Sequence, residues 1–154
     1  MALDISAIRT ALATKIRNAY SGVWSVNVYD YPTEAPVMPC VIIRTAPAAD
    51  AIDYHESMGV RGQAKADFEI EVRVIGWDVD AVKKCDAVLS TGTDESMFDA
   101  VAAMGGSAPY SLTGLPGVSA VIRSASGPVR VATDSTAETW TAVKFLLTAS
   151  SARG

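Results

Sequence analysis

The chain has 154 residues, with 17 acidic against 13 basic side chains and a formal net charge of −4. That length gives one domain, 1–154, with room for one hydrophobic core. The acidic balance excludes a protein that wraps nucleic-acid phosphates, which needs clustered Lys and Arg, and no stretch is apolar for long enough to cross a bilayer.

Residues 1–8 lack a basic start followed by an apolar run, so no secretory signal is expected. Cys40 and Cys85 each sit in apolar surroundings and read as reduced core residues of a cytosolic protein, with a disulfide between them left open. Charged residues make up 19% of the chain, below the roughly 25% usual in soluble domains. Two explanations fit: a coding sequence biased towards small residues, or a surface partly covered by neighbouring subunits.

In chain order, Asp4 is placed to cap a helix over 4–19, with Ile5, Ile8, Leu12 and Ile16 forming one apolar stripe and Arg9, Lys15 and Arg17 lying off it. Alternation over 24–31 predicts a strand with Trp24, Val26 and Val28 on one face. Pro32, Pro36 and Pro39 make the following connector extended and irregular. Residues 40–45 read as a buried strand. An irregular excursion follows over about 46–64, with a strand-like piece near 52–56. Residues 65–77 alternate most cleanly: Phe68, Ile70, Val72 and Val74 face one way, and Asp67, Glu69, Glu71 and Arg73 the other.

Asp78 or Asp80 starts a second helix, and Thr93 or Asp94 caps a third that Gly105 and Gly106 stop. A second excursion spans about 105–117. Strands are then predicted over 118–124, 129–133 and 138–149, with Gly127-Pro128 as a turn. Strands and helices do not alternate singly, so the expected fold is α+β: a mostly antiparallel β-sheet with the N-terminal helix and the central helix pair packed on one face.

The residues that chemistry would need are few. His55 is the single histidine and has no sequence neighbour placed to activate it on an extended chain. There is no closely spaced cysteine pair, no second histidine, no phosphate-cradling glycine loop and no serine-hydrolase elbow. The expectation is a non-enzymatic interaction protein with no cofactor and no metal. A small acid–base enzyme built on His55 and a stand-alone monomeric binding module are the alternatives from other classes.

Four stretches carry a resemblance: the amphipathic opening helix; Val28-Tyr29-Asp30-Tyr31-Pro32 with the proline connector to Pro39; the strand 40–45; and the alternating strand 68–77 followed by the two helices. In this layout the chain resembles tail terminator proteins of long-tailed (siphovirus-type) bacteriophages, while the last third departs most from it. The resemblance implies a virion protein, made in the host cytoplasm, that forms a hexameric ring at the head-proximal end of the tail tube. Such a ring ends tube polymerisation and joins the tail to the head-completion (connector) protein of the neck. Tail tube protein would be a partner, tape-measure protein and passing DNA would occupy the lumen, and no membrane is involved. Another head-completion component of the same neck is the nearest alternative.

A closed ring uses two different patches on each subunit. The two excursions are the expected contacts, with Tyr54, Met58, Tyr110 and Leu112 as anchors and His55 and Arg61 beside them. The row Asp67, Glu69 and Glu71 is expected either to face the lumen and repel DNA phosphates or to be an ordinary solvated strand face.

Overall fold

The first helix forms because its apolar residues recur at three- and four-residue steps behind a good cap. A computed structural model describes residues 4–47, 51–53, 63–102, 110–111, 118–132 and 139–152. In it α1 (Ile5–Tyr20) starts at Asp4, whose carboxylate accepts the Ala7 amide at 3.1 Å. Ile8, Leu12 and Ile16 are fully buried, each contributing roughly 1.5–3 kcal/mol by leaving water. Tyr20 closes the helix against the later part of the chain by donating its hydroxyl to the Glu95 carbonyl at 2.8 Å.

The strands are β1 (Asn27–Tyr29), β2 (Cys40–Thr45), β3 (Ile52–Asp53), β4 (Gln63–Ile75), β5 (Tyr110–Ser111), β6 (Val118–Ala132) and β7 (Thr139–Ala152). The sheet order is β1-β2-β4-β7-β6-β5, with β3 paired to β4 in line with β2. Every pairing is antiparallel except β1 with β2. The parallel pair follows from the proline connector, which carries the chain back to the end where β1 began; Asn27 Nδ2 donates to the Val37 carbonyl and Tyr29 Oη accepts the Val37 amide, each at 3.0 Å.

One face of this sheet carries Val41, Ile43, Phe68, Ile70, Val72, Val143, Phe145 and Leu147 into a common core with α1, α2 (Val79–Leu89) and α3 (Met97–Ala102). The fold is thus the expected α+β arrangement with its helices on one face. Asp78 caps α2 through the Ala81 amide at 2.9 Å. At α3 the capping contact comes from Ser96, whose hydroxyl accepts the Asp99 amide at 3.1 Å, and not from Thr93 or Asp94. Gly105 and Gly106 lie outside the described residues, as does most of both excursions.

Two strand expectations are corrected. Only Asn27–Tyr29 of the stretch 24–31 is strand, because the Trp24 amide is held back by the Tyr20 carbonyl at 3.1 Å in the turn that leaves α1. Residues 118–132 form one continuous strand with no turn at Gly127-Pro128. The pairing with β7 shifts register between Ile122 and Ser124 and again between Ser126 and Val129, so the Gly-Pro step is a bulge in β6. Gly127 has φ +113°, and a Cβ there would stand 2.8 Å from the Ala142 carbonyl oxygen.

Gly127→Ala is therefore expected to lower stability by about 2–4 kcal/mol, read by denaturant unfolding, since strain and a backbone clash act together. A second expectation concerns pH. Burial, helped by nearby Asp86, pushes the Cys85 thiol up to about 11, and burial followed by Glu95 raises the Tyr20 phenol. Both groups stay neutral in the folded chain while the unfolded chain ionises them, at pH values of about 8.5 and 10. Stability is thus fully present below about pH 8 and is lost as pH rises towards 11 and beyond. Thermal midpoints measured across that range should fall on the alkaline side.

Candidate interaction surfaces

The second face of the sheet is built by the other half of the β4 alternation. Asp67, Glu69, Glu71 and Arg73 point there, and the flanking strands supply their partners. Arg44 of β2 stands opposite Glu69 in register and reaches both acids, at 3.2 Å to Glu69 and 3.0 Å to Glu71. Arg73 holds Glu71 from the other side at 3.0 Å. Lys144 of β7 approaches Glu69 at 3.8 Å, and Asp67 accepts the Thr148 hydroxyl at 2.7 Å. Glu71 is the most buried of the three acids, and this bridging by two guanidinium groups offsets the desolvation cost.

The acidic row thus exists on one face, but Arg44, Arg73 and Lys144 pair with two of its three anions, Glu69 and Glu71, and Asp67 takes a hydroxyl donor. A repulsive field from this row alone does not follow. A shallow cavity of about 170 Å³ lies over the row, bounded by Ala46 and Pro47 after β2 and by 124–126 of β6. Further along the same face, Ile75, Trp140 and Val131 line up across β4, β7 and β6. Arg73 stacks over the Trp140 ring at 4.8 Å, and among the described residues the buried Trp140 Nε1 has no hydrogen-bond acceptor.

The two edges of the sheet are finished in different ways. At the β1–β2 edge, arginines from α1 satisfy backbone carbonyls. Arg9, only 7% exposed, donates to the Ile43 carbonyl at 2.8 Å, the Asp30 carbonyl at 3.2 Å and the Thr45 hydroxyl at 2.7 Å. Its guanidinium also lies over the Tyr31 ring at 4.7 Å and the Phe68 ring at 5.5 Å. Arg17 donates to the Val28 carbonyl at 2.9 Å. Reading α1 by its apolar stripe alone misses this role. The available signal was Arg9 following Ile8 directly, at the margin of the buried face.

At the other edge, among the described residues β5 pairs only with Ser119 and Ala120 of β6. Among the described residues nothing pairs the outer edge of β6 from 121 to 132. Most side chains of that stretch are exposed, Val129 at 56%. Exposed large apolar side chains also gather where β4 meets α2, at Ile75, Trp77 and Val79, and on the proline connector, at Tyr31 and Val37. A groove of about 290 Å³ beside the first group is lined by Trp24, Pro39, Val74 and Ala81 with Asp78 and Asp80 at its rim.

Of the anchors expected from the sequence, Tyr54, His55, Met58, Arg61 and Leu112 lie outside the described residues. Tyr110 is placed by its backbone in β5 at the sheet edge, paired with Ala120. The structure therefore brings together the acidic row and its counter-charges, and it puts edge surfaces in view that sequence reasoning did not single out. No family model matches the chain, and no curated protein matches it.

The bridged carboxylate makes a direct test of the second face. Arg44→Met is expected to lower stability by about 2 kcal/mol, and a double-mutant cycle with Glu71→Gln to return a coupling of about 1–2 kcal/mol. Additive effects in equilibrium unfolding would mean that the pair does not act as a unit.

Proposed function

We propose that this chain is a ring-forming structural subunit of the neck of a long-tailed bacteriophage, a tail terminator that caps the head-proximal end of the tail tube. The observation that carries the proposal is the unequal finish of the sheet. One edge is closed by arginines from the chain's own helix, and the other offers a long strand whose outer backbone groups over 121–132 are unpaired among the described residues. A strand edge of that length is a template for pairing with another chain, and a subunit with two different edges suits the head-to-tail contacts from which closed rings are built. The layout resemblance supports the same reading: its opening helix, proline connector, strand β2, and β4 followed by α2 and α3 are the elements that build the core and the capped edge.

On this reading the protein assembles and does not catalyse. The β4 face with its balanced ion pairs is a stabilising surface, and passage of DNA is not assigned to it. The exposed Ile75, Trp77 and Val79 cluster suits a contact with a neighbouring protein, since apolar patches rimmed by polar groups mark such sites.

The test is the mass of the purified protein by light scattering, alone and with tail tube protein. A ring, or a monomer converted to a ring on tube ends with arrest of tube growth, is the expected result. A monomer that ignores tube ends contradicts the proposal, and binding confined to the portal side would make the chain a head-completion component instead.

A further inference from the structure

The two edges of the sheet also differ in charge. Residues 26–39, which form β1 and the proline connector, contain Asp30 and Glu34 and no Lys or Arg. Residues 118–132, which form β6, contain Arg123 and Arg130 and no Asp or Glu. Glu34, Arg123 and Arg130 are exposed and Asp30 is half-buried. Among the described residues neither arginine lies within ion-pair distance of a carboxylate, and neither Asp30 nor Glu34 of a base. Each edge also carries exposed apolar side chains: Tyr31 and Val37 on the acidic side, Val129 on the basic side. The two lie at opposite ends of the sheet order, so one chain cannot join them to each other.

We infer that the partner of the open β6 edge is the acidic β1–connector edge of a second copy of this chain. Arg123 and Arg130 of one copy face Asp30 and Glu34 of the next, and Val129 packs against Tyr31 and Val37. The backbone leaves this contact to side chains. The β1 edge cannot accept a full strand ladder, because Arg9 and Arg17 already occupy carbonyls there and Pro32 and Pro36 donate nothing. The connector is exposed over 31–35 and at Val37 but bends at 30–31, 34–35 and 38–39, and the Val37 amide and carbonyl are already bonded to Tyr29 and Asn27, so it meets a second chain through its side chains. On β6, the Gly127-Pro128 bulge interrupts the edge between its two arginines, which disfavours open-ended strand stacking and leaves specificity to the charges. The contact is heterologous, so it propagates from copy to copy. This inference rests on the ring reading above and names the surfaces the ring would use.

The test is charge reversal with rescue. One variant carries Arg123→Glu and Arg130→Glu, the other Asp30→Lys and Glu34→Lys, with far-UV circular dichroism and thermal melts showing that each folds like the parent. Self-association is followed by sedimentation velocity at salt concentrations of about 50 mM and about 500 mM. The parent should associate more strongly at low salt. Each variant alone should need a concentration at least about tenfold higher, and an equimolar mixture should recover the parent's behaviour, because each reversed edge then meets its complement. Variants that associate like the parent, a mixture that does not recover, or a parent that stays monomeric at low salt up to about 1 mM would overturn the inference. A tube-capping assay on the same proteins separates the two proposals. Capping that survives both reversals leaves the terminator reading standing without this contact, whereas charge-dependent rings that ignore tubes leave the contact standing without the terminator reading.

Discussion

A β-sheet ends in two rows of backbone donors and acceptors, and a protein must satisfy them or leave them for a partner. The rest of this structure depends on how that constraint is met. At the β1–β2 edge the solution lies within the chain: Arg9 enters from α1, nearly out of contact with solvent, and bonds to the carbonyls of Ile43 and Asp30. One side chain thereby ties the opening helix, the proline connector and the edge strand together. Its stem packs with the core while its charge is spread over carbonyl oxygens and aromatic faces, which suits a planar, weakly hydrated guanidinium and would not suit a lysine. At the β6 edge no such device exists among the described residues.

The two faces of the sheet obey the same economy of polar groups. The helix face is mostly apolar in the core strands, and its polar exceptions are paired: Thr45 accepts from Arg9 and Thr141 donates to the Gly76 carbonyl. The other face is polar in β4, and a buried acid such as Glu71 is tolerable only because Arg44 and Arg73 converge on it from adjacent strand positions. The consequence for function is that charge on this face is consumed internally, while the charges on the two edges are not. On the proposed reading, the charges that guide association are those of the two edges, one of which is also unpaired over 121–132 among the described residues.

Much of the fold was legible because local pattern and tertiary context agreed. The alternation from Phe68 to Val74 and the apolar stripe of α1 each describe one buried face, and the structure buries those faces against each other. The misreadings have a common physical origin. Gly127-Pro128 is a turn signal in isolation, but β7 pairs on both sides of it and carries the strand through as a bulge. Trp24 and Val26 continue the β1 alternation in sequence, yet the turn leaving α1 claims the Trp24 amide before a ladder can form. The role of Arg9 and the part of Arg44 and Lys144 in neutralising the acidic row were invisible because they depend on residues more than twenty positions away. The anchors expected in the excursions, from Tyr54 to Leu112, rested on segment length and on residue type without a periodic pattern, and all but Tyr110 lie outside the described residues.

The central claim is that β6 is an open edge that a second chain completes. Amide hydrogen exchange as a function of protein concentration tests it most directly. In the dilute protein, amides of β4 and β7 should exchange slowly, while the outward-pointing amides of 121–132, about half of that stretch by strand geometry, should exchange fast. As the protein associates, protection should appear in 121–132 and in 30–37 together. Slow exchange across 121–132 in the dilute monomer, or association that leaves both segments unprotected, would contradict the account.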